Sequence, residues 1–351
     1  MTTMKDVARV ARVSIATVSS ALSGASYVSP DLKDRVEAAV RELGYAPNSI
    51  ASGLKRGTTR VIGLIVPDIT NPFFTELIQS VQRGARLAGY SVLLCDSEWD
   101  IERELSLIRM MRAHLAAGTI LCPTGADACY GTILDAIGPM ALVTVDSGLP
   151  TGGFDAVQLD NGLAARLATG HIIAAGHRRI GMMGGPSHLL TARGRLDGFL
   201  AAMRDAAVGV DPQMIRDGGF REDGAFRACQ DLLALASRPT AIFVANNQML
   251  IGVMRAIAAA GLSCPRDISV AAIDDFPWAV AFTPSLTTVR QPVGSMAAAA
   301  LDMLLARLSG RAAEPRRIVV DPELVVRNSC APPPAEYLRA FRSGPPASHM
   351  S

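Results

Sequence analysis

The N-terminal segment carries apolar side chains at the three- and four-residue spacing of short helices. This spacing predicts one helix over residues 6–11 and a second over residues 15–22, joined by a tight turn at Arg12. Ser14 directly precedes the second helix, where its hydroxyl can accept a free backbone N–H and cap the helix. The second helix has the size and side-chain character of one that enters a DNA groove.

A third helix completes this segment. Ser29 followed by Pro30 is typical of a helix start, with the Ser as cap and the Pro at the first helical position. The helix is expected to run to about Leu43, before Gly44 stops it. Three short helices over residues 1–46 predict a helix-turn-helix DNA-binding domain.

The spacing also separates inward from outward side chains. The first helix is expected to bury an apolar face of Val7, Ala8, Val10 and Ala11. The second is expected to bury Val18, Ala21 and Leu22. Its outward face then holds Ile15, Ala16, Ser19 and Ser20. Apolar side chains left exposed at the start of a helix need a reason, and contact with a thymine methyl group in the major groove would be one.

Residues 47–60 are predicted to be a hinge or linker. Asn48 can cap one short helix that ends at Leu54. Gly53 weakens that helix, so we expect it to form only when it is docked.

From residue 61 the pattern changes to buried strands that alternate with amphipathic helices. Strands are predicted over 61–66, 91–95, 119–122, 141–145, 180–183, 241–244 and 269–272. Helices are predicted over 73–88, 101–115, 162–175, 193–204, 224–235 and 249–260. Two successive series predict an α/β core of two doubly wound parallel-sheet subdomains, similar to periplasmic binding proteins, with a ligand cleft between them.

The core is expected to span residues 61–330. Its first subdomain is predicted to comprise about 61–161 plus 291–320, and its second about 162–290 plus 321–330. Residues 331–351 are rich in Pro and Ala, and we expect this tail to be disordered.

The distribution of charge along the chain indicates a polyanion as a partner. The chain has 351 residues and a formal charge of +2, but residues 1–60 hold nine Lys and Arg against five Asp and Glu. A small basic head on a nearly neutral body fits contact with a polyanion at one end. The six cysteines are scattered without CxxC spacing, so we expect reduced thiols, no metal site and no cofactor. No apolar run is typical of a signal peptide or membrane span, so a cytoplasmic location is expected.

Several short stretches match a known family in their joint order and spacing. In the N-terminal segment they are Lys5-Asp-Val-Ala8, Val13-Ser14, Thr17-Val-Ser19, Tyr27-Val-Ser29, Glu42-Leu-Gly-Tyr45 and Pro47-Asn48. In the core they are Asn71-Pro-Phe-Phe74, Gly176-His-Arg-Arg-Ile-Gly181, Arg195-Leu-Asp-Gly-Phe199, Asp267-Ile-Ser-Val270, Asp274-Asp-Phe-Pro-Trp-Ala279 and Leu286-Thr-Thr-Val289. Over residues 3–329 the chain resembles the lactose-repressor (LacI/GalR) family of bacterial transcription regulators. The stretch from Asp274 looks most like the gluconate-repressor branch.

The resemblance implies which side chains contact operator DNA. The base-reading positions are occupied by Ile15, Ala16 and Ser20. The phosphate-contacting positions are occupied by Ser14, Thr17, Ser19, Tyr27 and Ser29. The hinge positions are Asn48, Ala51 and Leu54. By resemblance the protein is a homodimer in which two hinge helices pair and Leu54 wedges into the minor groove.

Five positions of the DNA-binding region depart from the family pattern. Arg12 stands where Gly or Asn is usual, so the turn is strained or Arg12 contacts a phosphate. Ser20 replaces a usual Arg and loses a bidentate guanine contact, typically worth ~1–3 kcal/mol of discrimination. Ser23 replaces a usual Asn, and in the hinge Ser52 and Gly53 replace a usual Arg and a usual Ser. We therefore expect the operator to be read more by apolar contact and DNA shape than by guanine hydrogen bonds.

The family binds a small effector in the cleft, and the matched positions imply its lining. They are Phe73, Phe74, Thr124, Asp146, Asp160, Thr191, Arg195, Phe220, Asn246 and Asp274. Carboxylates and amides bond to hydroxyls, aromatic rings stack on C–H faces, and a guanidinium can fork onto a carboxylate, so a sugar or sugar acid is implied. Ser147 stands where Arg is common, which removes one possible anion contact.

Purely structural roles remain open for several of these side chains. Asp274 and Asp275 can form a helix cap or loop pair. Phe74 and Phe220 can be plain core residues, and Arg195 can pair with a nearby carboxylate.

Three functions compete at this point. An effector-controlled dimeric repressor uses both parts of the chain. A solute-binding protein of the periplasmic type would share the core but leave the basic N-terminal domain unexplained. An enzyme is not expected, because no GxGxxG follows the first core strand and neither a P-loop nor a GxSxG elbow is present. The tail has no Leu heptad of the kind that forms tetramers, which favours a dimer.

Overall fold

The structure is a computed structural model that describes residues 2–23, 27–45, 59–125, 130–149, 153–312 and 314–334. The chain separates into a small unit that ends at Thr59 and a large unit that begins at Arg60. Each unit has its own hydrophobic core and is described separately.

The described residues of the small unit form three helices. They are α1 (Met4–Ala11), α2 (Ile15–Ser23) and α3 (Pro30–Leu43). Thr3 caps α1 by accepting a hydrogen bond from the Asp6 backbone, while the Asp6 carboxylate accepts one from the Thr3 backbone at 3.0 Å. This reciprocal cap explains why α1 begins earlier than residue 6, where the apolar pattern predicts its start.

The predicted starts of α2 and α3 are confirmed, but only Ser14 makes a capping hydrogen bond. Ser14 Oγ accepts a hydrogen bond from the Thr17 backbone N–H at 3.0 Å. Ser29 stands at the N-cap position of α3, but its hydroxyl makes no capping hydrogen bond. Pro30 begins the helix, and Gly44 ends it at a φ of 58°, a left-handed conformation that a residue without a Cβ adopts at low cost.

The core of the small unit draws on all three helices. Its buried side chains are Val7, Ala8, Ala11, Val18, Val36 and Ala39. The prediction for Val10 is wrong, since this side chain is 37% exposed on the far side of the α1 stripe. On α2, Val18 is fully buried and Ile15 is 45% exposed, so the predicted inward and outward faces are as expected.

The large unit alternates strands and helices. Its first strands are β1 (Val61–Val66), β2 (Ser91–Asp96), β3 (Gly118–Leu121), β4 (Ala141–Asp146), β5 (Asp155–Leu159) and β6 (Ile180–Gly184). The later strands are β7 (Ile215–Asp217), β8 (Ala241–Val244), β9 (Ser269–Ile273), β10 (Thr287–Arg290), β11 (Arg317–Val320) and β12 (Glu323–Val325). The helices are α4 (Pro72–Leu87), α5 (Ile101–Ala113), α6 (Tyr130–Ile137), α7 (Asn161–Ala174), α8 (Leu190–Asp205), α9 (Glu222–Leu233), α10 (Asn247–Ala259) and α11 (Val293–Leu308).

The strands form two six-stranded sheets, and each sheet defines one lobe. The first lobe has the order β11-β5-β4-β3-β1-β2, and the second has the order β12-β10-β9-β8-β6-β7. Neighbouring strands are parallel except for β10 with β12. The chain passes between the lobes after β5, after β10 and between β11 and β12, so three connections join them. The predicted fold class, two doubly wound parallel sheets, is confirmed.

Helices cover the sheets and complete the cores. In the first lobe, α4 and α11 bury Leu77 and Met296 against one face, while α5 and α6 cover the other. In the second lobe one continuous core includes the Phe199 and Phe243 rings, which stack with centroids 6.1 Å apart. Burial on both faces explains why the parallel strands read as unbroken apolar runs.

The apolar pattern does not predict α6, α11 or the strands β5, β7, β10, β11 and β12. The middle of α11 is a run of four alanines from Ala297 to Ala300, which gives a weak periodic signal although alanine favours a helix. The edge strand β11 leaves Ile318 and Val319 partly exposed, so it lacks the buried run expected of a parallel strand.

The end of the chain stays attached to the second lobe beyond the predicted boundary. Ala331, where disorder is expected to begin, accepts hydrogen bonds on its carbonyl from His177 Nε2 at 2.8 Å and from Ser269 Oγ at 3.0 Å. Because a carbonyl only accepts, Nε2 of His177 carries the proton. The boundary is therefore too early, and residues 335–351 lie outside the described residues.

The described ranges hold neither a membrane-spanning helix nor a cluster of metal-binding side chains. No helix there is long and apolar enough to cross a bilayer. No group of three or more His, Cys, Asp or Glu side chains in those ranges is arranged to hold a metal ion. The cysteines that the structure describes are free thiols.

Close packing of α7 on α8 depends on a glycine. A Cβ at Gly198 would collide with the carbonyl oxygen of Gly162 and lie 2.9 Å from the Cβ of Ala165. The Gly198→Ala substitution is expected to lower the free energy of unfolding by ~1–3 kcal/mol, because backbone cannot turn away from the added methyl group. Urea unfolding followed by circular dichroism measures this change.

Gly170 on α7 is the matched control. A Cβ there would have no neighbour within 4 Å. Gly170→Ala is expected to leave stability unchanged or raise it by up to ~1 kcal/mol, since alanine is the better helix former. Equal unfolding midpoints for wild type and Gly198→Ala would contradict the packing argument.

Candidate functional sites

The outward face of α2 is the candidate DNA surface of the small unit. Ile15, Ala16 and Ser19 are exposed there, and Ser20 is half-buried. Tyr27 is 92% exposed, which leaves the ring free to contact another molecule. The structure therefore brings the three base-reading candidates together on one helix surface.

The candidate phosphate contacts lie at helix starts. Ser14 Oγ and Thr17 Oγ1 are 2.8 Å apart at the beginning of α2, and Ser29 immediately precedes α3. Backbone N–H groups at a helix N-terminus favour an anion such as a phosphate. The hinge candidates Asn48, Ala51 and Leu54 lie outside the described residues.

Arg35, which the sequence pattern does not single out, stabilises the turn before α2. Arg12 has a φ of 51° and a ψ of 49°, the left-handed conformation in which Gly or Asn is common. Arg35 Nη2 donates to the carbonyls of Ala11 at 2.7 Å and of Arg12 at 3.1 Å. These bonds satisfy the carbonyl groups at the end of α1 and stabilise the strained turn. Arg35 therefore helps to set the direction in which α2 begins.

A small cavity lies between the two lobes of the large unit. It is lined by Asn71, Phe73, Phe74, Trp99, Asp146, Thr191, Arg195, Phe220, Asn246, Asp274 and Gln291. These residues belong to α4, α8 and the segments at the carboxyl ends of strands, where parallel sheets bind ligands. The free volume is about 20 Å³, the room of a single water molecule.

Two helices begin at this cavity with asparagine caps. Asn71 caps α4 by accepting a hydrogen bond from the Phe73 backbone at 3.0 Å. Asn246 caps α10 by accepting one from the Met249 backbone at 2.8 Å, and its Nδ2 donates to the Phe220 carbonyl at 3.2 Å. Because the caps fix both amide groups, the polar lining is ordered before a ligand arrives.

Arg195 is the buried cation of the cavity. It is 4% exposed, and its guanidinium donates from Nε to Asn161 Oδ1 at 2.8 Å and from Nη1 to the Ala245 carbonyl at 2.6 Å. Its Cζ lies 5.6 Å from the centroid of the Phe220 ring. These contacts fix the guanidinium in the second lobe without a salt bridge to Asp197, which is exposed.

Two buried carboxylates share this cavity. Burial raises the pKa of Asp146 to about 6, with Arg195 opposing the rise and Asp274 adding to it. Burial also raises the pKa of Asp274, although Arg195 and a 2.5 Å hydrogen bond from Gln291 Nε2 oppose the change. Asp146 Oδ1 finds no hydrogen-bond partner among the described residues. A hydroxyl of a ligand is the kind of donor that this oxygen can accept.

Backbone strain is concentrated at the same place. Trp99, Asp146, Phe220 and Asp274 all line the cavity and have φ values of 60°, 69°, 56° and 74°. Residues other than glycine rarely adopt this left-handed region, and functional sites are where such strain accumulates.

Aromatic rings form one wall of the cavity. The Phe73 and Phe74 centroids are 5.0 Å apart, Phe74 and Trp99 are 6.3 Å apart, and Trp99 and Phe220 are 5.9 Å apart. The last contact joins the first lobe to the second. Gly185, directly after β6, lies against the Phe220 ring so closely that a Cβ would overlap it, so this glycine has a packing role.

Two predicted lining residues face elsewhere. The backbone N–H and hydroxyl of Thr124 donate to Glu104 Oε2 at 2.8 and 2.7 Å, so its side chain is engaged behind the cavity. Asp160 accepts a hydrogen bond from the Leu163 backbone at 2.8 Å and caps α7. The lining residues that sequence reasoning missed are Asn71, Trp99 and Gln291.

The structure distinguishes cavity-lining from purely structural roles for the side chains whose role the sequence leaves open. Asp275 accepts hydrogen bonds from Arg327 Nη1 at 2.8 Å and Thr288 Oγ1 at 2.7 Å, so it supports the end of the sheet, while Asp274 lines the cavity. Phe74 and Phe220 serve both purposes, since each belongs to a hydrophobic core and to the cavity wall.

Few polar contacts hold the lobes together at the cavity. Asn247 Nδ2 donates to Asn71 Oδ1 at 3.0 Å, and Arg221 Nη2 donates to the Glu98 carbonyl at 3.2 Å. Because each of these contacts is a single hydrogen bond, ligand binding can change the lobe separation at a modest cost.

A helix-turn-helix unit joined to a two-lobed core with a polar site between the lobes defines a ligand-responsive DNA-binding regulator. Residues 3–48 match the model of bacterial regulatory proteins of the lacI family, and residues 169–330 match that of the periplasmic binding protein-like domain. The chain is 36% identical over 329 residues to the ribose operon repressor of Escherichia coli (strain K12), which covers 94% of this chain and 100% of that protein. The chain belongs to the LacI family of bacterial transcription regulators.

Other relatives agree with this assignment. The HTH-type transcriptional repressor PurR of Photobacterium profundum is 35% identical over 329 residues, or 94% of this chain and 98% of that protein. The lac repressor dimer bound to operator and the anti-inducer ONPF has a TM-score of 0.84 at 27% identity, over 94% of this chain and 99% of that one. A LacI family regulator from Enterococcus faecium with bound ribose has a TM-score of 0.68 at 27% identity, over 78% and 99%. The chain is therefore a DNA-binding transcriptional regulator, and its likeness to the gluconate-repressor branch stays a prediction.

Glu104, behind the cavity, makes the stability of the protein depend on pH. It is fully buried, and burial raises its pKa from 4.5 to about 7 although the bonds from Thr124 lower it. The folded state therefore holds this proton more tightly than the unfolded chain. The free energy of unfolding is expected to fall as the pH rises from about 4.5 through about 7, by up to ~1.4 kcal/mol per pH unit from this group.

Glu104→Gln should remove that contribution, because a neutral amide can still accept the Thr124 hydrogen bonds. We expect the variant to be more stable than wild type at pH 8 and closer to it at pH 4.5, measured by urea unfolding. Glu102→Gln, on the exposed side of the same helix, is the control and should leave the pH profile unchanged. Parallel profiles for wild type and Glu104→Gln would contradict the role of the buried charge.

Proposed function

We propose that the protein is a dimeric repressor whose operator affinity is set by a neutral, hydroxyl-rich sugar bound between the lobes. The observation that carries the proposal is the set of Asp146, Arg195, Asn246 and Asp274 around one cavity. Carboxylates accept hydrogen bonds from hydroxyls, guanidinium and amide groups donate them, and aromatic rings cover C–H faces. The ribose-bound relative supports a sugar as the ligand class.

The charge of the lining favours a neutral sugar over a sugar acid. With Asp146 and Asp274 ionised, two carboxylates face a single guanidinium, that of Arg195. An anionic ligand would bring a third negative charge into a desolvated site. Ser147, where the family commonly has Arg, supplies no further positive charge.

Control of the operator follows from lobe movement. A free volume of about 20 Å³ does not hold a sugar, so the lobes must separate for a sugar to enter. A ligand that favours one lobe separation shifts the population toward it and changes how the two DNA-binding units of a dimer are presented to a near-palindromic operator. We expect the sugar to act as an inducer, in a cytoplasmic protein that associates with the nucleoid when bound to its operator and catalyses no reaction on its ligand.

Asp146→Asn tests the ligand site. Asparagine also adopts the left-handed conformation at this position, so the backbone is not further strained. In calorimetric titrations of the full chain with a panel of pentoses and hexoses, we expect the variant to bind the active sugar roughly 10- to 100-fold more weakly at pH 8.

The pH dependence gives a second readout of the same carboxylate. Wild-type affinity is expected to weaken as the pH falls through about 6, where free Asp146 gains a proton and loses an acceptor, and Asp146→Asn should lose this dependence. Asp197→Asn, exposed on α8, is the control. Tighter binding of sugar acids than of neutral sugars would overturn the proposal for the ligand.

The DNA-binding role has its own test. Selection of operators from a random duplex library should return no strict guanine under Ser20, because a hydroxyl cannot make the bidentate contact of an arginine. Ser20→Arg is expected to create a guanine preference at one position per half-site, and Ser19→Arg, aimed at the phosphates, is expected to raise affinity without that preference. Deletion of residues 1–46 should abolish operator binding while sugar binding persists. Sugar binding by a full chain that binds no operator would favour a solute-binding protein instead.

A further inference from the structure

The part of the small unit that faces DNA carries no charge of its own. From Val13 to Pro30 the sequence contains no Asp, Glu, Lys or Arg, and α2 lies wholly inside this stretch. The same stretch contains every base-reading and phosphate-contacting candidate outside the hinge. Affinity for DNA depends largely on Lys and Arg side chains that neutralise phosphates. A cation for the phosphates beside α2 must therefore come from a residue that borders the stretch.

Arg12 is the cation at the border next to α2. It is exposed and stands two positions before Ser14, which caps α2 and is a phosphate-contacting candidate. Two residues span at most about 7 Å of chain, so the long Arg12 side chain starts close to that cap. At the other border the first charged residue is Asp31, whose carboxylate repels a phosphate. Arg12 is therefore the charged residue best placed to serve the start of α2.

The guanidinium of Arg12 has no partner among the described residues, in contrast to its neighbours. Arg9 Nη2 lies 3.0 Å from Asp6 Oδ1, which offsets its charge. Arg35 donates to two backbone carbonyls of the turn and lies 3.8 Å from an oxygen of Asp31. The remaining residues of the small unit, 1, 24–26 and 46–58, include no Asp or Glu. The charge of Arg12 therefore stays available to a partner outside the small unit.

The backbone at Arg12 indicates that its side chain has a use. Arg12 ends α1 with a φ of 51°, a conformation that glycine adopts at lower cost. The Arg12 N–H donates to the Ala8 and Arg9 carbonyls, and its carbonyl accepts from Arg35. Glycine would keep all of these backbone bonds. The arginine therefore strains the turn without adding a side-chain contact inside the described part of the unit.

We propose that Arg12 binds a backbone phosphate of the operator beside the start of α2 and supplies the positive charge that this helix lacks. A guanidinium can fork onto two phosphate oxygens, and phosphates line the groove that a recognition helix enters. Ser20 removes a usual cation from α2, so Arg12 restores affinity without restoring guanine reading. The inference rests on the operator-binding part of the proposed function and is independent of the sugar.

Arg12→Gly tests the inference, because it removes the guanidinium and relieves the turn in one change. Fluorescence anisotropy measures binding of the full chain to a labelled duplex recovered in the operator selection, and to a shuffled duplex of the same composition, over a range of KCl concentrations. At about 0.1 M salt we expect the variant to bind both duplexes roughly 10-fold more weakly than wild type. The slope of log Kd against log salt should fall by about 1 for each half-site.

A second measurement separates contact with DNA from a role in folding. Hydrogen exchange of the full chain without DNA should show α1 and α2 at least as well protected in Arg12→Gly as in wild type, because glycine fits the left-handed turn. A residue that only stabilised the fold would lose affinity and protection together. Arg12→Lys keeps the charge but not the fork, so it should keep the wild-type salt slope while binding less tightly.

Arg41→Gln is the matched control. Arg41 is exposed in the last turn of α3, whereas Arg35, nearer the start of that helix, contacts the turn before α2. Its removal should leave the salt slope unchanged. Equal affinity and slope for wild type and Arg12→Gly would overturn the inference. A lost preference for one base with an unchanged slope would also overturn it, since Arg12 would then read a base. If wild type binds neither duplex, the operator-binding part of the proposed function is wrong, and this inference with it.

Discussion

The cleft depends on keeping two carboxylates charged or nearly so in a place that water hardly reaches. Asp274 is 5% exposed, desolvation raises the pKa of both Asp146 and Asp274, and the guanidinium of Arg195 offsets their charge. That guanidinium is in turn held by Asn161 and by the carbonyl of Ala245. The left-handed backbone at both aspartates adds a second cost that the surrounding sheets must sustain. These groups lower the stability of the protein when they lie together. Their arrangement is explained by the binding of a ligand.

The fold class follows from the sequence because buried parallel strands are continuous apolar runs, as in β1 and β8. Where burial is less complete, that signal fails. The edge strand β11 exposes Ile318 and Val319, and the alanine run of α11 has little contrast between its faces. The predicted start of α2 is accurate because Ser14 makes the cap directly before it. The predicted start of α1 is too late because its cap, Thr3, lies before the predicted first residue.

The site was harder to predict than the fold because position in a motif does not fix the direction of a side chain. Thr124 follows β3 as the resemblance implies, but Glu104 captures its hydroxyl behind the cavity. Trp99 and Gln291 lie in connections that have no apolar pattern, and only the meeting of the two lobes brings them to the ligand. Asn71 stands in a recognisable helix-start sequence, Asn-Pro, and that signal could have placed it at the cavity.

The hydrogen bond between Asn71, the cap of α4, and Asn247, the first residue of α10, joins two helix starts across the cleft, beside a cavity with room for one water molecule. Entry of a sugar must therefore wait for the lobes to part. At high sugar concentration the association rate should stop rising and level off at the rate of lobe opening. The response time of such a regulator to a sudden rise in sugar concentration is then set by the rate of lobe opening. That rate depends on a few contacts between the lobes and not on the sugar concentration.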